Sequence, residues 1–124
     1  MNKDSCYAFY GSLRLGMYNH ARFQNGLTYI STETVSGFRL YALEHYPIAV
    51  KSKASDTIIV ELMRITDSKI ENEIHHLELS AGYYYEDIEV RGITVGIYLF
   101  RENQNRLHIP SGDWIEYLKQ RPTA

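Results

Sequence analysis

The sequence predicts a single α+β domain built from mostly antiparallel strands and one principal helix. Strand-type composition recurs at 27–43, 57–65 and 84–101, and one segment, 68–79, combines helical periodicity with start and stop signals. A chain of 124 residues is long enough for one modest core but not for two. No internal repeat, low-complexity run or linker divides it, so residues 1–124 read as one unit.

Residues 5–10 form the first expected strand, apolar and aromatic, stopped by Gly11. Residues 18–25 suit a short helix ended by Gly26. The stretch 27–43 is rich in Thr, Tyr, Ile and Val and reads as strand, with Gly37 marking a bulge or bend inside it. His45-Tyr46-Pro47 breaks that stretch, and Thr57 to Ile65 makes the next strand. In the helix at 68–79, Ser68 and Glu71 fit a capping box and Asp67 suits the positive end of the dipole. Ile70, Ile74 and Leu77 share one face, and Gly82 is placed to end the helix in the left-handed conformation. A hairpin follows: 84–91, a turn at Gly92, then 93–101, with Ile93, Val95, Ile97 and Leu99 on one side. Residues 107–110 are a short extended piece, and Ser111-Gly112-Asp113-Trp114 leads into a terminal helical turn.

Composition excludes several classes. A net charge of -2 with scattered Lys and Arg supplies no footprint for nucleic acid, even though eleven tyrosines are available to stack bases. No apolar run approaches the roughly 20 residues of a membrane span. The start, Met1 to Ser5, passes directly into Cys6-Tyr7-Ala8-Phe9, too short for a signal-peptide apolar region. A lone cysteine suits a reducing compartment, so a cytoplasmic location is expected, and Cys6 itself reads as a small buried apolar residue.

Glu78 is the physically unusual residue. At roughly 100° per residue it lies roughly 75° from the centre of the apolar stripe, at its edge rather than opposite it, unlike His75. It also occupies the last turn, where helix carbonyls disfavour a carboxylate, and apolar and aromatic residues follow it. Both effects raise a carboxyl pKa from about 4.3 toward neutrality, as an acid/base requires; the alternative is a solvated helix-edge glutamate. Tyr10-Gly11-Ser12-Leu13-Arg14-Leu15-Gly16 is a strand end and loop with a glycine at each side. Such a loop lets backbone N–H groups approach an anion or oxyanion, although an ordinary turn has the same composition. His75 and His76 point about 100° apart and cannot share a metal ion, so both read as solvated; His20, His45 and His108 have no partner by spacing. Asp113 and Trp114 look like a docking anchor for the C-terminus. In Tyr83-Tyr84-Tyr85, strand alternation turns at least one ring away from the core.

Together these residues resemble the γ-glutamylcyclotransferase-like family, in particular its short bacterial members and the γ-glutamylamine cyclotransferases. The resemblance rests on Tyr10-Gly11-Ser12-Leu13-Arg14 with Gly16 and Asn19, and on Gly37-Phe38-Arg39-Leu40-Tyr41 with Tyr46-Pro47 and Ala49-Val50. Val60-Glu61-Leu62, Leu77-Glu78, Tyr84 with Val90, and Ile109 with Ser111-Gly112-Asp113-Trp114 extend it from about residue 7 to 117. Where many members carry an arginine two residues after the matching tyrosine, this chain has Glu86.

The resemblance implies a barrel-like mixed sheet with short flanking helices around a cavity, and cleavage of a γ-glutamyl amide to 5-oxoproline and a free amine. It also implies Glu78 as general acid/base, substrate binding by the N–H groups of Gly11, Ser12 and Leu13, and a pocket lined by Tyr10 and Tyr84. No metal or cofactor is implied, the partner is a small γ-glutamyl substrate, and a monomer or weak homodimer is expected. The rival reading is a non-catalytic small-molecule binding protein that keeps the same cavity.

Overall fold

A computed structural model describes residues 2–121 as two sheets flanked by three helices. The strand predicted first is β1, Cys6–Phe9, buried along its whole length. It sits in the middle of a five-stranded sheet of order β2-β5-β1-β7-β6, formed with β2 (Leu27–Ser36), β5 (Thr57–Ile65), β6 (Tyr84–Val90) and β7 (Ile93–Leu99). A strand with neighbours on both sides and cover on both faces must be apolar throughout, and Cys6-Tyr7-Ala8-Phe9 is. β1 pairs antiparallel with β5 and parallel with β7; the other pairings are antiparallel.

The expected single strand at 27–43 is two strands in different sheets. β2 pairs with β5, with a register shift between Tyr29 and Ser31, and ends before Gly37. Gly37 has φ 93°, a conformation that glycine adopts without a Cβ penalty, and it sends the chain into a second sheet of order β4-β3-β8. That sheet comprises β3 (Phe38–Ala42), β4 (Pro47–Lys51) and β8 (Leu107–Ile109). Pro47, read as a breaker, is in fact the first residue of β4, a position that tolerates its missing N–H.

The two sheets meet where the Phe100 N–H donates to the Ala49 carbonyl at 2.9 Å. The larger sheet is strongly curled: Arg91, in the β6–β7 turn, reaches Glu33 on β2 at 3.2 Å. Neither sheet closes on itself among the described residues, so the barrel-like expectation holds only as curvature.

α2 (Ser68–Ser80) lies where periodicity predicts it, with Ile74 fully buried. Its N-cap is Asp67, whose carboxylate accepts from the N–H groups of Lys69 and Ile70 at 2.8 and 3.2 Å. The capping box expected of Ser68 and Glu71 is absent, because the Glu71 carboxylate accepts instead from Ser5 Oγ and Tyr7 Oη. Gly82, with φ 100°, terminates the helix, and the Tyr83 N–H returns to the Glu78 carbonyl at 3.1 Å. On β7 the residues from Val95 to Leu99 are buried on both faces. Gly96 is required there, since a Cβ would meet the Tyr85 ring at 2.4 Å.

Residues 18–25 form α1 (Tyr18–Phe23) and a 3-10 turn (Gln24–Gly26). The terminal helix α3, Trp114–Gln120, docks through Trp114, which is 1% exposed and stacks on Tyr117.

Candidate active site

Between the end of β1, the loop after it, the start of β4 and the last turn of α2 lies a cavity of about 140 Å³. Glu78 lines it together with Tyr10, Gly11, Ser12 and Leu13. The helix puts it there: Ile74 and Leu77 pack inward, and the residue at the edge of that stripe is carried over the open end of β1. Among the described residues the Glu78 carboxyl has no hydrogen-bond partner. Burial alone raises its pKa from 4.5 to about 7. It is the one charged side chain among the described residues lining the cavity.

In the same lining, the loop over Gly11–Leu13 is folded so that its carbonyls are used and its amides are not. The Gly11 carbonyl accepts from Arg14 N–H at 3.0 Å, closing a turn, and the Ser12 carbonyl accepts from His20 N–H at 3.0 Å. The N–H groups of Gly11, Ser12 and Leu13 have no partner among the described residues. Gly11 is needed because a Cβ would lie 2.8 and 2.9 Å from the Pro47 ring. Asn19 Nδ2 donates to Ser12 Oγ at 2.8 Å.

Tyr10 lines the cavity but its hydroxyl is committed to the fold. It donates to the Tyr98 carbonyl at 2.6 Å and accepts from the Ala49 N–H at 3.1 Å, stapling β7 to β4. Tyr84, expected in the lining, is not among the lining residues; its ring lies 4.2 Å from the Arg101 guanidinium. Tyr83 takes that place instead, donating to the Pro47 carbonyl at 2.6 Å. Tyr83 precedes β6, which begins at Tyr84, and its place in the lining goes with its bond to Pro47 on β4, a partner 36 positions away.

One further expectation changes. His75 is not solvated: its Nδ1 lies 2.9 Å from Tyr98 Oη, its ring packs on Tyr85 and Tyr98, and burial lowers its pKa. Glu86 pairs with Lys51 at 2.7 Å on the surface. Behind the loop lies a brace that residue order does not reveal. Arg14, 5% exposed, donates from Nε to Glu61 at 2.7 Å and from Nη1 to Asp113 at 2.8 Å. Glu61 also accepts from the Leu15 N–H at 2.7 Å, and Asp113 caps α3. A charged residue between apolar neighbours in mid-strand, Val60-Glu61-Leu62, is the available signal.

Cys6 is buried and unpaired with another cysteine. Among the described residues no group of three or more His, Cys, Asp or Glu side chains is arranged to hold a metal ion, and no helix is long and apolar enough to cross a membrane.

The chain is thus an α+β domain with a small cavity lined by an unpartnered carboxyl and by residues with unpaired amides. The chain is a member of the γ-glutamyl cyclotransferase, AIG2-like family, whose sequence model matches residues 7–116. An uncharacterised protein of Pyrococcus horikoshii has the same fold at TM-score 0.77 and 24% identity, over 94% of this chain and 98% of that one. The YtfP protein of Escherichia coli is similar at TM-score 0.69 and 25% identity, over 90% and 97%. Allophanate hydrolase of Kluyveromyces lactis is similar at 0.76 and 19% identity, over 94% of this chain but 21% of that one. No curated protein is a significant match.

Proposed function

We propose that the protein converts a γ-glutamyl amide to 5-oxoproline and a free amine, with Glu78 as the only acid/base. The observation that carries this reading is the unpartnered Glu78 carboxyl, with a pKa near neutrality, lining the same cavity as three residues whose amides are unpaired. Ionised Glu78 takes a proton from the substrate's α-ammonium. The freed amine attacks the γ-carbonyl carbon, a C–N bond forms, and the carbonyl electron pair moves to oxygen. The N–H groups of the Gly11–Leu13 segment stabilise that oxyanion. Collapse breaks the original amide bond as Glu78 returns its proton to the leaving nitrogen. The ring nitrogen sheds its second proton as the released amine becomes an ammonium, so charge is conserved. The nucleophile and electrophile are tethered, which supplies much of the rate without further groups.

Family membership supports a cyclotransferase-type activity in general. The test is 5-oxoproline release from a panel of γ-glutamyl amides. Glu78→Gln is expected to lose at least ~10²-fold in rate, the usual size of a general acid/base contribution. Wild-type kcat/KM is expected to rise with pH through about 7 as Glu78 ionises. Turnover in Glu78→Gln close to wild type refutes the role. Thermal stabilisation by γ-glutamyl amides without product favours the binding protein instead.

A further inference from the structure

We propose that His20 is a positioning residue for this reaction, holding the peptide planes of the Gly11–Leu13 segment so that their amides face the reacting carbonyl. The inference rests on the reading of the cavity given above.

His20 makes two bonds to the segment. Its backbone N–H donates to the Ser12 carbonyl at 3.0 Å, and its Nδ1 lies 3.0 Å from the Leu13 carbonyl oxygen. A carbonyl only accepts, so Nδ1 carries the proton. In a trans peptide the C=O of one residue and the N–H of the next point in opposite directions. Tying the Ser12 carbonyl to α1 therefore turns the Leu13 N–H away from α1. Tying the Leu13 carbonyl fixes the next plane, whose N–H, that of Arg14, closes the turn on Gly11 and so sets the Ser12 N–H as well. Asn19 adds a third tie from the same helix, to Ser12 Oγ at 2.8 Å. α1 itself is anchored by buried Phe23. One short helix thus sets the direction of the amides that line the cavity.

The role is geometric rather than acid/base. Both the neutral Nδ1–H tautomer and the imidazolium donate at Nδ1, so the bond does not depend on the charge of the ring. An asparagine places its Nδ2 donor close to where Nδ1 stands, and alanine supplies no donor. The experiment measures 5-oxoproline release, melting temperature and the 1H–15N cross-peaks of Ser12 and Leu13 in wild type, His20→Ala and His20→Asn. His20→Ala is expected to lower kcat roughly 10- to 100-fold, with KM changed less than about threefold, as for misplaced transition-state donors. Its melting temperature should move little, and the Ser12 and Leu13 cross-peaks should be displaced. His20→Asn should restore both rate and cross-peaks and keep the acid limb of the pH profile, which belongs to Glu78. Wild-type kcat in His20→Ala with unmoved cross-peaks overturns the proposal, as does an asparagine variant no better than alanine. A wild type that releases no 5-oxoproline overturns the functional reading instead, and the cross-peaks then decide alone whether His20 orients the amides.

Discussion

Glu61 is a buried carboxylate and Glu78 a half-buried one in a cavity wall, and their surroundings are opposite. Glu61 accepts from a guanidinium and a backbone amide, each at 2.7 Å, and the same guanidinium continues to Asp113. Glu78 meets no donor among the described residues and has its pKa pushed up to about 7. A buried carboxylate whose oxygens are taken up by donors of the fold acts as a brace, here between the loop after β1, β5 and α3. One left unpaired beside a cavity keeps a proton that it can exchange near neutral pH. The first surrounding builds the wall and the second faces the substrate.

That contrast can be broken most forcefully at the brace. Glu61→Ala or Arg14→Ala leaves an uncompensated buried charge and is expected to cost about 3–5 kcal/mol in urea unfolding. Joint replacement by apolar residues of similar volume should recover much of that loss. A single-variant cost below about 1 kcal/mol would show that the pair is solvated after all.

The next largest effect concerns Glu78 and has the opposite sign. Its folded pKa, about 7, lies above the ordinary 4.5, so the folded state holds a proton that the unfolded state has released. Stability is therefore full below pH 4.5, falls as pH rises toward 7, and is level above that. At about 1.4 kcal/mol per pH unit, the ionised form costs the fold about 3 kcal/mol. Glu78→Gln should accordingly be more stable than wild type by up to about 3 kcal/mol at pH 8.5, with the gap closing as pH falls. Urea midpoints at several pH values read this directly, and a gap that does not change with pH would place the carboxyl in bulk water. A substitution that removes activity while adding stability is the signature of a site strained for chemistry.

Gly11→Ala sharpens the comparison between wall and acid. Its Cβ would press on the Pro47 ring at 2.8 Å, with an expected cost of about 1–3 kcal/mol and a parallel loss of 5-oxoproline release. Adding Pro47→Ala should relieve part of both, and a Gly11→Ala variant of normal stability would mean that the loop gives way freely. Lys51→Ala marks the lower bound: its pair with Glu86 is exposed, and no more than about 1 kcal/mol, fading with added salt, is expected.

Features set by near neighbours in the chain were readable from residue order. The apolar stripe and glycine stop of α2, the β6–β7 hairpin, the strand at 57–65 and the Glu78 position at a stripe edge all arise from contacts within a few residues. The α+β class followed from counting such elements. Other features depended on residues far apart in sequence meeting in space. Arg14 joins Glu61 and Asp113 across 47 and 99 positions, and Tyr83, in the cavity lining, bonds Pro47 across 36. Gly37 passes the chain between sheets, Pro47 opens a strand, and His75 finds Tyr98. Local propensity is a property of a short window, whereas pairing, register and burial are fixed only when the whole chain packs. The same carboxylate in sequence therefore becomes a brace at one position and an acid/base at another according to which donors the packed fold brings to it.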